Sequence, residues 1–308
     1  MSSEAFIQQD LFTILDFVRW AASRFSTAEL EFGHGTDNAI DEANHLVVRA
    51  LNLPHQIPDQ FYHARLTSGE KRSLVELIDK RIQERVPLPY LLHEAWFGGM
   101  QFYVDHRVLI PRSPIAELIE NGFHPWAAGE NIKNILDLCT GSGCIAIACA
   151  MAFPEAQVDA ADISTDALDV AQINIDRYQL SDQVSLYASD LFANIPQDKR
   201  YDIIVTNPPY VDASEISLLA PEYQHEPQLG LAAGEDGLDI VRRILCQVSH
   251  HLTDHGILVV EVGASQYAML DSFPAVPFTW VDFQRGGEGV FILTANQLRE
   301  YEAHFAPR

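Results

Sequence analysis

The stretch Asn134-Ile-Leu-Asp137-Leu-Cys-Thr140-Gly141-Ser142-Gly143-Cys144-Ile-Ala146 reads as an apolar strand, a glycine loop and the first turn of a helix. In an open α/β sheet a loop of this kind lies at the carboxyl ends of the strands and takes a nucleotide-like ligand. Gly141 and Gly143 allow the tight turn and a close approach of backbone to ligand. At the end of the next apolar run, about twenty residues on, Asp162 is placed to accept hydrogen bonds from both hydroxyls of a ribose.

Read alone, Gly141-x-Gly143-x-x-Ala146 also fits a dinucleotide fingerprint, so a nicotinamide-dependent enzyme competes here, as does a helix-entry turn with no ligand. Asp137 separates the readings. A carboxylate aimed into the loop from the mouth of the first strand would repel a pyrophosphate and attract the ammonium and sulfonium groups of S-adenosylmethionine. Asp190, in Ser189-Asp190-Leu191-Phe192, is either a solvated loop acid or an acceptor for the adenine amino group.

Working outward, short buried strands alternate with amphipathic helices from about residue 114. Candidate strands run over 134–138, 157–162, 183–187, 201–206, 256–262, 279–284 and 289–293. The last two are joined only by Arg285-Gly-Gly-Glu288, too short for a crossover helix, so they pair antiparallel. The expected fold is therefore α/β: a seven-stranded, mostly parallel Rossmann-like sheet with one antiparallel strand. That is the methyltransferase variant rather than a dehydrogenase.

After the fourth strand comes Asn207-Pro208-Pro209-Tyr210. Two prolines donate no backbone hydrogen bonds and keep the loop extended, leaving its carbonyls free. The Asn207 side-chain oxygen and the Pro208 carbonyl can accept both hydrogens of a planar NH2 group, with Tyr210 flat against it. An amide nitrogen is a poor nucleophile because its lone pair is delocalised. Two acceptors on its hydrogens favour the localised nitrogen of the transition state and fix its line of attack on a methyl sulfonium. Asn-Pro-Pro alone is often only a turn; its place behind a glycine loop and three acids makes it functional.

The N-terminal part is helical. Apolar residues recur at helical spacing over 11–25, and Asp37 or Thr36 can cap a second helix reaching Leu51. Thr67-Ser-Gly-Glu70 forms a capping box before a third. Pro87 and Pro89 stop the pattern, and residues 96–104 read as two short strands about Gly98-Gly99. Trp96, Phe97, Phe102 and Tyr103 there pack the hairpin or grip a substrate loop, packing being the simpler role. The expected organisation is a helical substrate-recognition domain over 1–88, a hairpin linker over 89–112 and a cofactor-binding catalytic domain over 113–308.

These motifs together resemble the class I S-adenosylmethionine-dependent protein-glutamine N5-methyltransferases. Arg85-Val-Pro-Leu-Pro-Tyr90, Val108-Leu-Ile-Pro-Arg112, Glu222-Tyr-Gln-His-Glu-Pro227 and Ala233-Gly-Glu-Asp-Gly237 resemble that family's linker, lead-in and following loop. Pro111-Arg-Ser-Pro114 and Cys139-Thr-Gly-Ser-Gly-Cys144 are similar to the branch that modifies large-subunit ribosomal protein three. The release-factor branch carries a Thr-Glu pair where this chain has Ile115-Ala116, so no role passes to those two positions, and Glu117 reads as a helix N-terminal acid. The resemblance implies a cofactor set of Asp137, Cys139, Thr140, Gly141, Gly143, Asp162, Ile163, Asp190, Leu191 and Asn207. It implies a catalytic set of Asn207, Pro208, Pro209 and Tyr210, with S-adenosyl-L-methionine as cofactor and a basic ribosomal protein, met before or during assembly, as partner.

Composition narrows the partners. The 308 residues hold 20 Lys plus Arg against 43 Asp plus Glu, a formal net charge of -23. That balance argues against direct nucleic-acid binding, and so against the competing class of nucleic-acid amino-group methyltransferases that also use Asn/Asp-Pro-Pro-aromatic loops. Residues 1–120 carry 11 basic and 17 acidic side chains, and 121–308 carry 9 and 26, so the acid concentrates toward the C-terminal part. Acids rather than bases in the first ten residues, and no apolar run long enough for a bilayer, make a cytoplasmic protein without membrane partners the expectation. Cys139, Cys144, Cys149 and Cys246 read as free thiols. His225 with Glu222 and Glu226, and the pair His250-His251, tempt a metal reading. Transfer from a sulfonium needs no Lewis acid, so no metal is expected.

Overall fold

The computed structural model describes residues 10–127, 132–212, 216 and 218–306. Of the acidic first ten residues only Asp10 is among them. Contacts divide the chain into two units: residues up to Glu94 with Ala220–His225, and Ala95–Leu219 with residues from Glu226 onward. The 89–112 stretch thus forms no unit of its own, and a short segment inside the expected catalytic part groups with the helices.

Side-chain caps define the helices of the first unit. Helix α1 (Ile14–Thr27) starts with a Thr13/Asp16 capping box, and α3 (Ser68–Gln83) with the expected Thr67/Glu70 box. Between them, α2 (Ala39–Ala50) is capped by Asn38, which accepts from the Ile40 and Asp41 N–H groups, rather than by Asp37 or Thr36. Pro87 and Pro89 do not end helical structure. They begin a short helix, α4 (Leu88–Leu92), because the first turn needs no N–H donor. The apolar faces of α1, α2 and α3 meet in a core of Phe17, Phe25, Leu46, Leu74 and Ile78.

The second unit opens with the hairpin β1 (Ala95–Phe97) and β2 (Met100–Phe102), whose turn residues Gly98 and Gly99 have φ of 54° and 72°, as a tight hairpin demands. Phe97 and Phe102 are buried in the core while Trp96 is exposed. The large sheet contains β3 (Asn134–Leu138), β4 (Gln157–Asp162), β5 (Val184–Ala188), β6 (Tyr201–Thr206), β7 (Leu252–Glu261), β8 (Thr279–Trp280) and β9 (Val290–Thr294) in the order β5-β4-β3-β6-β7-β9-β8. Of these seven strands β9 alone runs opposite to the rest, so its pairs with β7 and β8 are antiparallel. The expected strand at 279–284 is just two residues long. The Gln284 and Arg285 N–H groups donate to the Glu117 carboxylate, at 2.9 and 3.1 Å, instead of to a strand.

Alternation sorts side chains onto two faces. Ile135, Ile203, Val205, Ile257 and Val259 join one core, while Leu136, Leu138, Ile204, Leu258 and Val260 join the other. Helices α5 (Ile115–Glu120), α6 (Cys144–Ala152) and α7 (Thr165–Tyr178) cover the first face. On the second lie α8 (Asp239–Leu245), α9 (Gln266–Ser272) and α10 (Ala295–Glu300). Ile115 is wholly buried against the first face, which gives the Ile115-Ala116 departure a packing role. After β5 the chain crosses back over β4 and β3 to place β6 beside β3, creating the switch point at which such sheets bind ligands.

Candidate active site

A cavity lies at the carboxyl ends of β3, β4 and β6. Its floor is the glycine loop. Gly141 has φ 54° and open space where a Cβ would project, so the backbone is bare toward the cavity. Gly143 serves packing instead. At φ 78°, a Cβ there would lie 3.2 Å from that of Ala171, so this glycine lets α7 approach closely, and it does not line the cavity. Asp162 accepts from the Gly141 and Ser164 N–H groups, both at 2.9 Å, and faces the cavity. Burial raises its pKa, opposed by backbone hydrogen bonds from Ser164, Gly141 and Ile163.

Asp137 does not line the cavity, contrary to its expected aim at a ligand. It shares the face of Ile135 and is fully buried, accepting from the Thr140 hydroxyl at 2.5 Å and the Ala146 N–H at 3.0 Å. Helix α6 has no cap from its own Gly143, so Asp137 satisfies its first turn from the neighbouring strand. Burial pushes Asp137 up to about 7 despite those two bonds, with the Asp162 charge adding to the rise.

Of the remaining expected cofactor residues, Cys139, Thr140, Ile163, Asp190, Leu191 and Asn207 all line the cavity. Ile163 is 55% exposed and, with Leu191, offers apolar surface to a flat ring. Cys139 and Leu191 have φ of 59° and 51°, a left-handed geometry that non-glycine residues adopt at a cost, here side by side with the ligand space. Asp190 is neither a lone solvated acid nor an unengaged acceptor, because its Oδ2 lies 2.7 Å from Nη2 of Arg243, another lining residue. A bare glycine backbone, a carboxylate at the end of β4 and apolar faces beyond it suit a nucleoside.

Asn207 and Pro209 reach the cavity; Pro208 is buried and Tyr210 is not among the lining residues. Among the described residues, the Asn207 side chain makes no hydrogen bond. Tyr210 is instead bound backward: its hydroxyl donates to Glu261 Oε1 at 3.0 Å and its carbonyl accepts from the Ser265 hydroxyl at 2.9 Å. Tyr210 therefore anchors the loop in this structure rather than presenting its ring to a planar group.

Several wall residues escaped the sequence reading. Arg112 lines the cavity in a two-point ion pair with buried Glu226, at 2.6 and 2.8 Å, across 114 positions of sequence. Arg107, also lining, pairs with Asp105 at 2.6 Å. Burial works to raise the Asp105 carboxyl, but the Arg107 and Tyr103 hydrogen bonds outweigh it and hold the group down at about 2. No local spacing announces a pair as distant as Arg112 and Glu226, although both stand in stretches that carry the family resemblance. The four cysteines are free thiols, and burial pushes Cys144 up to about 12. His225 approaches the Glu84 carbonyl at 2.8 Å, His251 stacks on Phe192, and among the described residues no three His, Cys, Asp or Glu side chains gather as metal ligands.

The family described as "Methyltransferase small domain" matches residues 127–222, a span that includes the glycine loop and the Asn-Pro-Pro loop. A ribosomal protein uL3 glutamine methyltransferase of Francisella tularensis is 47% identical over 300 residues, covering 97% of this chain and 95% of that one. The chain belongs to the uL3 glutamine methyltransferase family. A second member, from Xanthomonas campestris, is 49% identical over 297 residues, covering 96% of this chain and 95% of that one. The sheet order described above is thus that of a class I methyltransferase. Among solved structures, the hMettl16 catalytic domain bound to an RNA hairpin matches with TM-score 0.49 and 15% identity over 78% of this chain and 86% of that chain. The T. thermophilus 16S rRNA N2 G1207 methyltransferase matches with TM-score 0.46 and 17% identity over 65% of this chain and 49% of that one. Likeness at that level says nothing of the family member's substrate. Among the described residues no helix is long and apolar enough to cross a membrane.

Proposed function

We propose that this methyltransferase transfers a methyl group from S-adenosyl-L-methionine to the side-chain amide nitrogen of a glutamine in ribosomal protein uL3, giving N5-methylglutamine and S-adenosyl-L-homocysteine. Identity of 47–49% over nearly the whole chain, to relatives named for that reaction, carries the reading. When bound, the cofactor supplies a methyl group made electrophilic by its positive sulfur. Asp162 and Asp190 bind the nucleoside, with Gly141 giving backbone access and Ile163 and Leu191 covering the ring. Asn207, whose side chain has no hydrogen bond among the described residues, accepts one amide hydrogen through its oxygen, and the Pro208 carbonyl accepts the other. The flanking prolines compete for neither acceptor, having no N–H. Removing delocalisation from the amide nitrogen is thus the work of the loop, and no strong base is needed because the methylated nitrogen is acidic while cationic.

The substrate is read as the free protein, recognised in part by the helical unit, and the enzyme as cytoplasmic and not bound to nucleic acid. A net charge of -23 suits a basic ribosomal protein not yet covered by RNA. Peptide mass spectrometry of free uL3 after incubation with enzyme and S-adenosylmethionine tests the reading. A one-methyl mass gain on a glutamine side chain is expected; an unmodified uL3, or a gain on lysine, contradicts it.

A further inference from the structure

Glu261 closes β7 beside the strand that leads into Asn207–Tyr210, and it is 4% exposed. Its two carboxylate oxygens are shared between two hydroxyls: Tyr210 donates to Oε1 at 3.0 Å and Ser113 donates to Oε2. Ser113 in turn accepts from the Ile115 N–H at 3.1 Å, which ties the lead-in Pro111-Arg-Ser-Pro114 to the same acid.

Tyr210 is also fixed at two other points. A Cβ on Gly263 would lie 2.6 Å from its ring, and one on Gly237 would lie 2.2 Å from its carbonyl, so both glycines are kept bare to seat this residue. The carbonyl itself takes the Ser265 hydroxyl. Ring, hydroxyl and carbonyl are thereby all held from residues 237 and 261–265.

A buried acid is a costly way to fill the end of a strand whose preceding residues, Val259 and Val260, are apolar. Two directional hydroxyl bonds to one buried carboxyl fix the segments they join, a gain in position set against that cost where a loop must stand still. We propose that Glu261 is a positioning residue of the methyl transfer: through the Tyr210 hydroxyl it fixes the Asn207–Tyr210 loop, and so the two acceptors that aim the amide, without touching substrate. This rests on the methyl-transfer reading of that loop.

The test is steady-state kinetics of the full chain with S-adenosylmethionine and free uL3, alongside calorimetric S-adenosylhomocysteine affinity. The variants are Tyr210→Phe, Glu261→Ala, Glu261→Gln and the Tyr210→Phe/Glu261→Ala double. Tyr210→Phe and Glu261→Ala are each expected to lower kcat about ten-fold or more while cofactor affinity moves less than about two-fold. The double should be no worse than the poorer single, because one bond is lost in both. Glu261→Gln, which keeps an acceptor for Tyr210, should recover most of the rate. Undiminished kcat in Tyr210→Phe, additive losses in the double, or equal loss of kcat and cofactor affinity would overturn the proposal. Should Glu261→Ala fail to fold, Tyr210→Phe decides alone, since ring and acid both remain. A wild type inert toward uL3 would overturn the functional reading along with the inference, whereas an active wild type with unaffected variants would overturn the inference only.

Discussion

Two glutamates, one in each unit, are buried to nearly the same degree, Glu222 at 1% exposure and Glu261 at 4%, yet their electrostatic circumstances are opposite. In the helical unit Glu222 faces Arg81, itself 1% exposed, at 3.0 Å, with Arg85 at 3.3 Å and the Glu31 N–H at 3.2 Å. Burial would raise its pKa, but hydrogen bonds from Arg81 and the backbone, with the guanidinium charge, outweigh burial and hold it below the ordinary value. Among the described residues Glu261 has only hydroxyl donors. Burial dominates there and raises its pKa, and the Ser113 and Tyr210 bonds and the Arg112 charge do not offset it. A compensated buried acid stitches structure together, whereas an uncompensated one, beside the Asn-Pro-Pro loop, marks stability given up for position.

Removing the compensation should make the first region resemble the second. Arg81 also holds buried Glu42 at 2.6 Å, so Arg81→Ala leaves Glu42 with the Thr36 hydroxyl but no cation and Glu222 with the longer Arg85 contact as its cation, and is expected to cost about 3–5 kcal/mol in urea unfolding. A loss below about 1 kcal/mol would show that water reaches the cluster. In the catalytic unit the largest effect should fall on rate instead: Asn207→Ala is expected to lower kcat about 100- to 1000-fold with S-adenosylhomocysteine affinity retained. Equal losses in both would merge the amide-aiming and cofactor-holding roles.

The pH dependence of stability sharpens the contrast through its sign. Glu222 binds its proton less tightly folded than unfolded, so its contribution is present above about 4.5 and disappears as pH falls through its lowered folded value. For Glu261 the folded protein holds the proton more tightly, so stability falls as pH rises from about 4.5 through the raised value. Thermal unfolding should therefore show the Glu222→Gln deficit shrinking in acid, and Glu261→Gln gaining on wild type toward neutral pH. Asp137 belongs with Glu261: with a folded pKa of about 7, Asp137→Asn should gain on wild type between about pH 4 and 7. Parallel curves for the Glu222 and Glu261 variants would erase the distinction. The smallest expected effect is on encounter: kcat/KM for free uL3 should fall severalfold from low to physiological salt, as long-range attraction to the acidic surface is screened. A flat salt profile would reduce the net charge to a solubility feature.

The glycine loop, the acid at the end of β4 and the Asn-Pro-Pro loop are legible because each is a local pattern, and the fold brings Gly141, Asp162 and Asn207 to one cavity. What lay beyond local pattern depended on facing and partner. Alternation puts Asp137 on one face of β3, but only the packed helix shows that this face meets the first turn of α6 and not a ligand. Gly141 and Gly143 look alike in sequence yet serve two roles, backbone exposure and helix packing, which Ala171 separates. Tyr210 read as a stacking ring because its partner Glu261 lies 51 residues away. The cap of α2 fell one residue later than expected because Thr36, Asp37 and Asn38 are all competent caps, and the chain direction at the turn chooses among them.

The most direct test offers the purified enzyme and labelled S-adenosylmethionine three acceptors in one vessel: free uL3, release factor and naked ribosomal RNA. Label is expected in uL3, on a glutamine, and is lost in Asn207→Ala. Label in the RNA or the release factor, with uL3 unmarked, would contradict a glutamine transfer to uL3.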